Sequence, residues 1–245
     1  MSEVVFIGTS DAFGAGGRRQ SAVLVRGTRG TLLLDCGATT GSGLAELGID
    51  RNEIETILVS HFHGDHFGGI PLLLLGALYQ DDRKHPLRIA GPPEVELRVR
   101  ELARAMGHPI EDRDWSFDLQ FQEVPAGADF EVGPARIRSF DTRHQIEAHP
   151  QGYRVETGGE TIAYSGDTGW FPELPRISAG ADLFICECTL HRERLDFHLD
   201  LETIEARRAE FDTGRILLTH LGSEMSELRG ECSIETADDG LVVKL

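Results

Sequence analysis

Residues 61–66 read His61-Phe62-His63-Gly64-Asp65-His66, three imidazoles and a carboxylate in six positions, directly after the apolar run Ile57-Leu58-Val59. Neutral imidazole and carboxylate are the ligands that zinc and similar borderline cations take in catalytic sites, whereas a site that only holds a fold usually closes with cysteine thiolates. In an extended segment leaving a strand, His61 and His63 point the same way, because side chains alternate with period two. Gly64 is then expected to let the backbone turn, so that Asp65 and His66 face the same small volume from another direction. The competing reading is a solvated, histidine-rich loop. So dense a cluster at a strand end, where α/β proteins bind ligands, favours the metal site.

The rest of the composition bounds what such a site can belong to. The chain has 245 residues, 40% of them hydrophobic, and a formal net charge of -17. That length suits one large α/β domain over 1–245 with two buried sheet faces, and two independent domains would be cramped. The acidic balance predicts no general attraction to nucleic acid or to an anionic membrane. Met1-Ser2-Glu3 and the short apolar run after it lack the basic start and length of a signal peptide, and no apolar run is long enough to span a bilayer. A cytoplasmic protein without membrane contact is expected. Cys36, Cys186, Cys188 and Cys232 form no Cys-x-x-Cys pair and read as small buried residues.

His-x-His-x-Asp-His after an apolar strand resembles the signature of the metallo-β-lactamase-fold metal-dependent hydrolases. Further segments along nearly the whole chain are similar to the branch that holds ribonuclease Z and small phosphodiesterases. The resemblance implies a four-layer αβ/βα sandwich of two mixed β-sheets flanked by helices, with two divalent metal ions, zinc or manganese. Gly8-Thr9-Ser10 with Arg18, Arg19, Gln20 and Ser21 resembles the opening segment of that branch, and either arginine is a candidate for neutralising a phosphate. Asp35-Cys36-Gly37 resembles its "DCG" turn, in which the Asp supports the metal-binding loop from behind. His144-Gln145-Ile146-Glu147-Ala148 before Gly152-Tyr153-Arg154 resembles its third motif and makes His144 a metal ligand, with His149 as the competing candidate. Ser165-Gly166-Asp167-Thr168 resembles the segment whose Asp bridges both metals, and Thr219-His220-Leu221 supplies the final ligand. The implied set is His61, His63 and His144 on one metal, Asp65, His66 and His220 on the other, and Asp167 between them.

Hydrophobic patterning places these residues on elements. Strands are expected at 3–8, 21–26, 31–34, 55–60 and 87–90, then at 119–124, 130–132, 135–141, 152–156, 161–165, 182–186 and 215–218. Two such sets suggest two sheets packed face to face. Helices are expected at 43–47, 68–79 and 94–106. The one at 68–79 is apolar on most sides and so reads as a core helix or the face of a homodimer.

Glu187-Cys188-Thr189 and His198-Leu199-Asp200 resemble the "HEAT" glutamate and "HST" histidine of ribonuclease Z. A carboxylate bonded to an imidazole fixes one tautomer and raises its basicity, which suits proton donation to a departing alkoxide. The expected catalytic residues are therefore Asp65, Glu187 and His198. Bacterial ribonuclease Z carries a long arm between its "GYR" and "SGDT" segments that grips transfer RNA, where here only residues 155–164 intervene, with Gly158-Gly159 as a hairpin turn. Transfer RNA is thereby disfavoured. The expected function is hydrolysis of small linear or cyclic phosphodiesters by a metal-bridging hydroxide. The alternatives are a thioesterase or lactonase with the same ligands, or ribonuclease Z-like processing without the arm.

Overall fold

The computed structural model describes residues 2–28, 30–111, 113–133 and 135–245, so Met1 lies outside the described residues. The first half of the chain supplies strands β1 (Glu3–Gly8), β2 (Ala22–Gly27), β3 (Gly30–Leu34), β4 (Thr56–Leu58), β5 (Leu87–Gly91) and β6 (Leu119–Glu123). The second supplies β7 (Asp129–Val132), β8 (Ala135–Asp141), β9 (Gln151–Thr157), β10 (Glu160–Tyr164), β11 (Leu183–Glu187), β12 (Arg215–Thr219) and β13 (Val242–Lys244). The helices are α1 (Thr40–Glu46), α2 (Gly64–Phe67), α3 (Ile70–Tyr79), α4 (Val95–Ala105), α5 (Leu174–Ser178), α6 (Leu201–Ala206) and α7 (Ser223–Glu227). One sheet runs β13-β1-β2-β3-β4-β5-β6 and the other β12-β11-β10-β9-β8-β7. Both are mixed: β3 to β6 and β10 to β12 pair in parallel, and the remaining neighbours are antiparallel.

Alternation along the strands builds the layers. Val4, Phe6, Val23, Val25, Leu32 and Leu34 meet Tyr153, Val155, Ile162, Tyr164 and Ile185 in the core between the sheets. Their odd-numbered or even-numbered neighbours Val5, Ile7, Leu24, Leu33 and Ile57 point outward into the layer that holds α1, α3 and α4. Phe184, Cys186 and Leu218 do the same under α6 and α7. Each such side chain, when fully buried, stabilises the fold by about 1.5–3 kcal/mol. Three apolar interlayers make the four-layer sandwich expected from the sequence.

Several boundaries differ from expectation for identifiable reasons. The strand expected at 55–60 stops at Leu58, because the Ser60 amide and hydroxyl turn to the Asp35 carboxylate, each at 2.7 Å. Gly64 has no left-handed backbone and a Cβ there would meet nothing; it opens helix α2, and that helical turn delivers Asp65 and His66. Helix α3 buries Ile70, Leu73, Leu74 and Ala77 in the core and leaves Leu72 and Tyr79 exposed. Strand β13 and helices α5 and α7 were not expected, being three to five residues long and too short for periodicity to register. The β9–β10 hairpin pairs Thr157 with Glu160, so Gly158-Gly159 is a two-residue turn, both glycines having positive φ. Among the described residues, no helix is long and apolar enough to cross a membrane.

Candidate metal centre

Strands β3, β4, β8, β10, β11 and β12 all end at one edge of the sandwich, and each hands a polar residue to the same place. The ligand atoms of His61, His63, His144 and Asp167 lie within 4.8 Å of one another, as do those of Asp65, His66, Asp167 and His220. Asp167 belongs to both groups. In the first, His61 Nε2 and His144 Nε2 each approach His63 Nδ1 to 3.1 Å. In the second, Asp65 Oδ2 lies 3.2 Å from His220 Nε2 and 3.3 Å from His66 Nε2. Asp167 reaches His66 Nε2 at 3.3 Å through Oδ1 and His220 Nε2 at 3.4 Å through Oδ2.

Two tests indicate that these groups fit cations. His66 Nε2 and Asp167 Oδ1 are buried and, although 3.3 Å apart, make no hydrogen bond to each other or to any other group, a costly arrangement for atoms that a metal ion would satisfy. Charge gives the second test. Burial holds the His61 imidazole well below its ordinary pKa, and those of His63 and His144 are lowered chiefly by burial too, so all three offer lone pairs at neutral pH. Burial acts the same way on His66 and His220. There Asp167 leads the carboxylates that outweigh it, pushing His66 well above the usual range and His220 upward. Burial raises Asp65 and Asp167, but His66 and His220 more than reverse this and keep both carboxylates ionised. Divalent cations compete for the positions that those imidazole protons take.

The imidazoles are oriented from behind. His66 Nδ1 is 2.7 Å from Asp35 Oδ2, which also accepts from Ser60 Oγ and from Tyr164 Oη at 2.6 Å. His144 Nδ1 is 2.8 Å from the Phe197 carbonyl, and His220 Nδ1 is 2.8 Å from Thr189 Oγ1. Such bonds fix which nitrogen faces the cation. Asp35 and His220 both have left-handed backbones, φ 59° and 55°, a strain that tightly packed functional sites sustain. Gly37 lets the loop after β3 lie against the metal loop, since a Cβ there would sit 2.3 Å from the Asp65 carbonyl oxygen. Gly37→Ala is expected to cost about 2 kcal/mol in urea unfolding by overpacking. It should also weaken zinc binding, which chelator competition measures.

Beside the second group stands a third set, Glu187, His198 and His220. Two of its members already bond to each other: His198 Nδ1 is 2.8 Å from Glu187 Oε1, and Glu187 is 1% exposed. Burial lowers the His198 imidazolium, but the Glu187 carboxylate pushes it up to about 9. His198 precedes Asp200, which caps α6 by accepting from the Thr203 amide, so it sits on the approach to the helix.

Every residue of the expected set thus comes to one place, with His144 and not His149 in the first group. His149 turns away in a left-handed conformation, its ring 5.9 Å from that of Phe62. The expectation for Arg18 and Arg19 is corrected. Arg18 Nη1 points to Ala237 O and Asp238, and Arg19 binds Ile7 O and Glu46, because the loop after β1 folds onto the C-terminal segment. Ser60, Tyr164 and Thr189 were missed as supports; hydroxyl side chains at strand ends carry no spacing signal.

The family described as Anti-Pycsar protein Apyc1 matches residues 2–240. The ribonuclease Z of Methanothermobacter thermautotrophicus is 27% identical over 97% of this chain and 91% of its own. Among solved structures, the metallo-β-lactamase fold protein YhfI of Bacillus subtilis superposes with a TM-score of 0.78 at 23% identity, over 100% of both chains. A diphosphatase of the PhnP family gives a TM-score of 0.80 at 15% identity, over 100% of this chain and 98% of its own.

Proposed function

Starting from a chain that belongs to the Apyc1 family of anti-Pycsar proteins and has the metallo-β-lactamase fold of a metal-dependent hydrolase, we propose a two-cation phosphodiesterase for small linear or cyclic diesters. The observation that carries this reading is the Glu187–His198 pair, 2.8 Å apart, beside two ligand groups that share Asp167. A thioesterase, whose thiolate departs readily without a proton, has less need of a proton donor there.

Divalent cations in the two groups, zinc or manganese, supply positive charge and a water that ionises near neutral pH. The chain's own residues do the rest. The Asp65 carboxylate, through the oxygen not engaged with the ligand group, orients the attacking water and takes its proton. As the water oxygen bonds to phosphorus, the bond to the leaving oxygen breaks. His198 has Nδ1 engaged with Glu187, so its free Nε2–H is the proton delivered to that oxygen. Asp167 stays ionised between the groups and Asp35 holds His66 in place.

Small diesters fit better than a polyanion. The chain carries a net charge of -17, and Gly158-Gly159 leaves no arm to hold an RNA. The zinc-loaded protein should therefore hydrolyse cyclic and linear phosphodiesters faster than thioesters, lactones or a transfer-RNA precursor at moderate salt. Efficient cleavage of the precursor, or hydrolysis confined to thioesters or lactones, would overturn the reading.

A further inference from the structure

We propose that Thr189 is a positioning residue that couples the proton-donating pair to the metal centre, holding His220 and Glu187 in one geometry through its hydroxyl. The proposal rests on the phosphodiesterase reading only for the role given to His198.

Thr189 Oγ1 lies 2.9 Å from Glu187 Oε2, 2.8 Å from His220 Nδ1 and 3.2 Å from His198 Nδ1. A threonine hydroxyl has one proton to give and two lone pairs to receive. The hydroxyl donates to Glu187 Oε2, the oxygen that also accepts from the Thr189 amide, so its one proton points to Glu187. His220 Nδ1–H must then donate to Oγ1, which leaves Nε2 as the nitrogen that faces Asp65 and Asp167. The same carboxylate accepts at Oε1 from His198 Nδ1 and from the Thr168 amide at 2.9 Å, the residue after Asp167. One hydroxyl and one carboxylate therefore tie together a ligand, the loop that carries the shared aspartate, and the acid.

The hydroxyl is itself held still. The Thr189 amide donates to Glu187 Oε2 at 3.0 Å, and its carbonyl accepts from the Gly222 amide at 3.1 Å. A Cβ on Gly222 would sit 2.4 Å from that carbonyl oxygen, so the loop after His220 packs directly on Thr189. A branched Cβ also restricts χ1. Valine, of nearly the same shape, would remove every one of the Oγ1 bonds.

The test compares Thr189→Val with Thr189→Ser, first by chelator competition for zinc and then by hydrolysis at saturating zinc. Thr189→Val should bind zinc roughly 10- to 100-fold more weakly, the usual effect of losing the partner behind a ligand. At saturating zinc its loss of kcat on an alkyl phosphodiester should exceed that on a nitrophenyl ester by about tenfold, with Thr189→Ser restoring both quantities to within about threefold. Unchanged zinc affinity in Thr189→Val, or a serine variant as poor as valine, would overturn the coupling. If Thr189→Val does not fold, Thr189→Ala is read by the same criteria. Should the wild-type protein cleave no phosphodiester at all, the proposed function falls, and the zinc affinities alone still decide the link between Thr189 and His220.

Discussion

Asp167→Ala should lower phosphodiester hydrolysis by about a thousandfold, equivalent to ~4 kcal/mol of transition-state stabilisation, and should reduce bound zinc in the same preparation. The size follows from position. Asp167 is the residue common to both ligand groups, and a carboxylate is the side chain able to bridge two cations. Removing it also leaves His66 and His220 without the carboxylate that does most to offset their burial. Circular dichroism should stay native, since the two sheets and their three apolar interlayers do not depend on Asp167. Zinc content and rate unchanged from wild type would remove Asp167 from the centre.

The second large effect divides by leaving group. His198→Ala should cost about a hundredfold on a diester whose leaving group is a poor alkoxide, because under the proposed mechanism the leaving oxygen then has no proton donor. On a nitrophenolate ester, which departs without a proton, the loss should be small. Glu187 lies 2.8 Å from His198, so Glu187→Gln should show the same division more weakly. Equal losses on both substrates would make His198 a binding or structural residue and strengthen the carbonyl-hydrolase alternative.

Much of this site was legible because its residues leave strand ends. His61, Asp167 and His220 each follow an apolar run and His144 follows an alternating strand, and hydrophobic periodicity finds such segments before any contact is known. In β8 the alternation of the sequence is the alternation of burial, with Ala135, Ile137 and Ser139 buried and Arg136 and Arg138 exposed. Other features are set by tertiary contacts that no local pattern carries. Asp35 and His220 have left-handed backbones although neither is glycine, and Gly64, the residue expected to turn the chain, does not. Strand β13 exists because three residues pair with β1, a partnership more than two hundred positions apart in sequence. From the opening motif either Arg18 or Arg19 was a candidate for neutralising a phosphate, with a solvated turn arginine as the equal alternative, yet their guanidiniums are drawn to Asp238 and Asp239 at the far end of the chain. Thr189 was visible only as part of a motif, and its role depends on the ring nitrogen of His220 arriving from the neighbouring strand.

Zinc titration into chelator-stripped protein, with phosphodiester, thioester and lactone hydrolysis followed on the same samples, tests the central claim most directly. The account predicts that phosphodiester hydrolysis rises with added zinc and saturates near two equivalents, with thioester and lactone rates staying far below it. Saturation at one equivalent, or a zinc-dependent rate seen only with the thioester or the lactone, would contradict it.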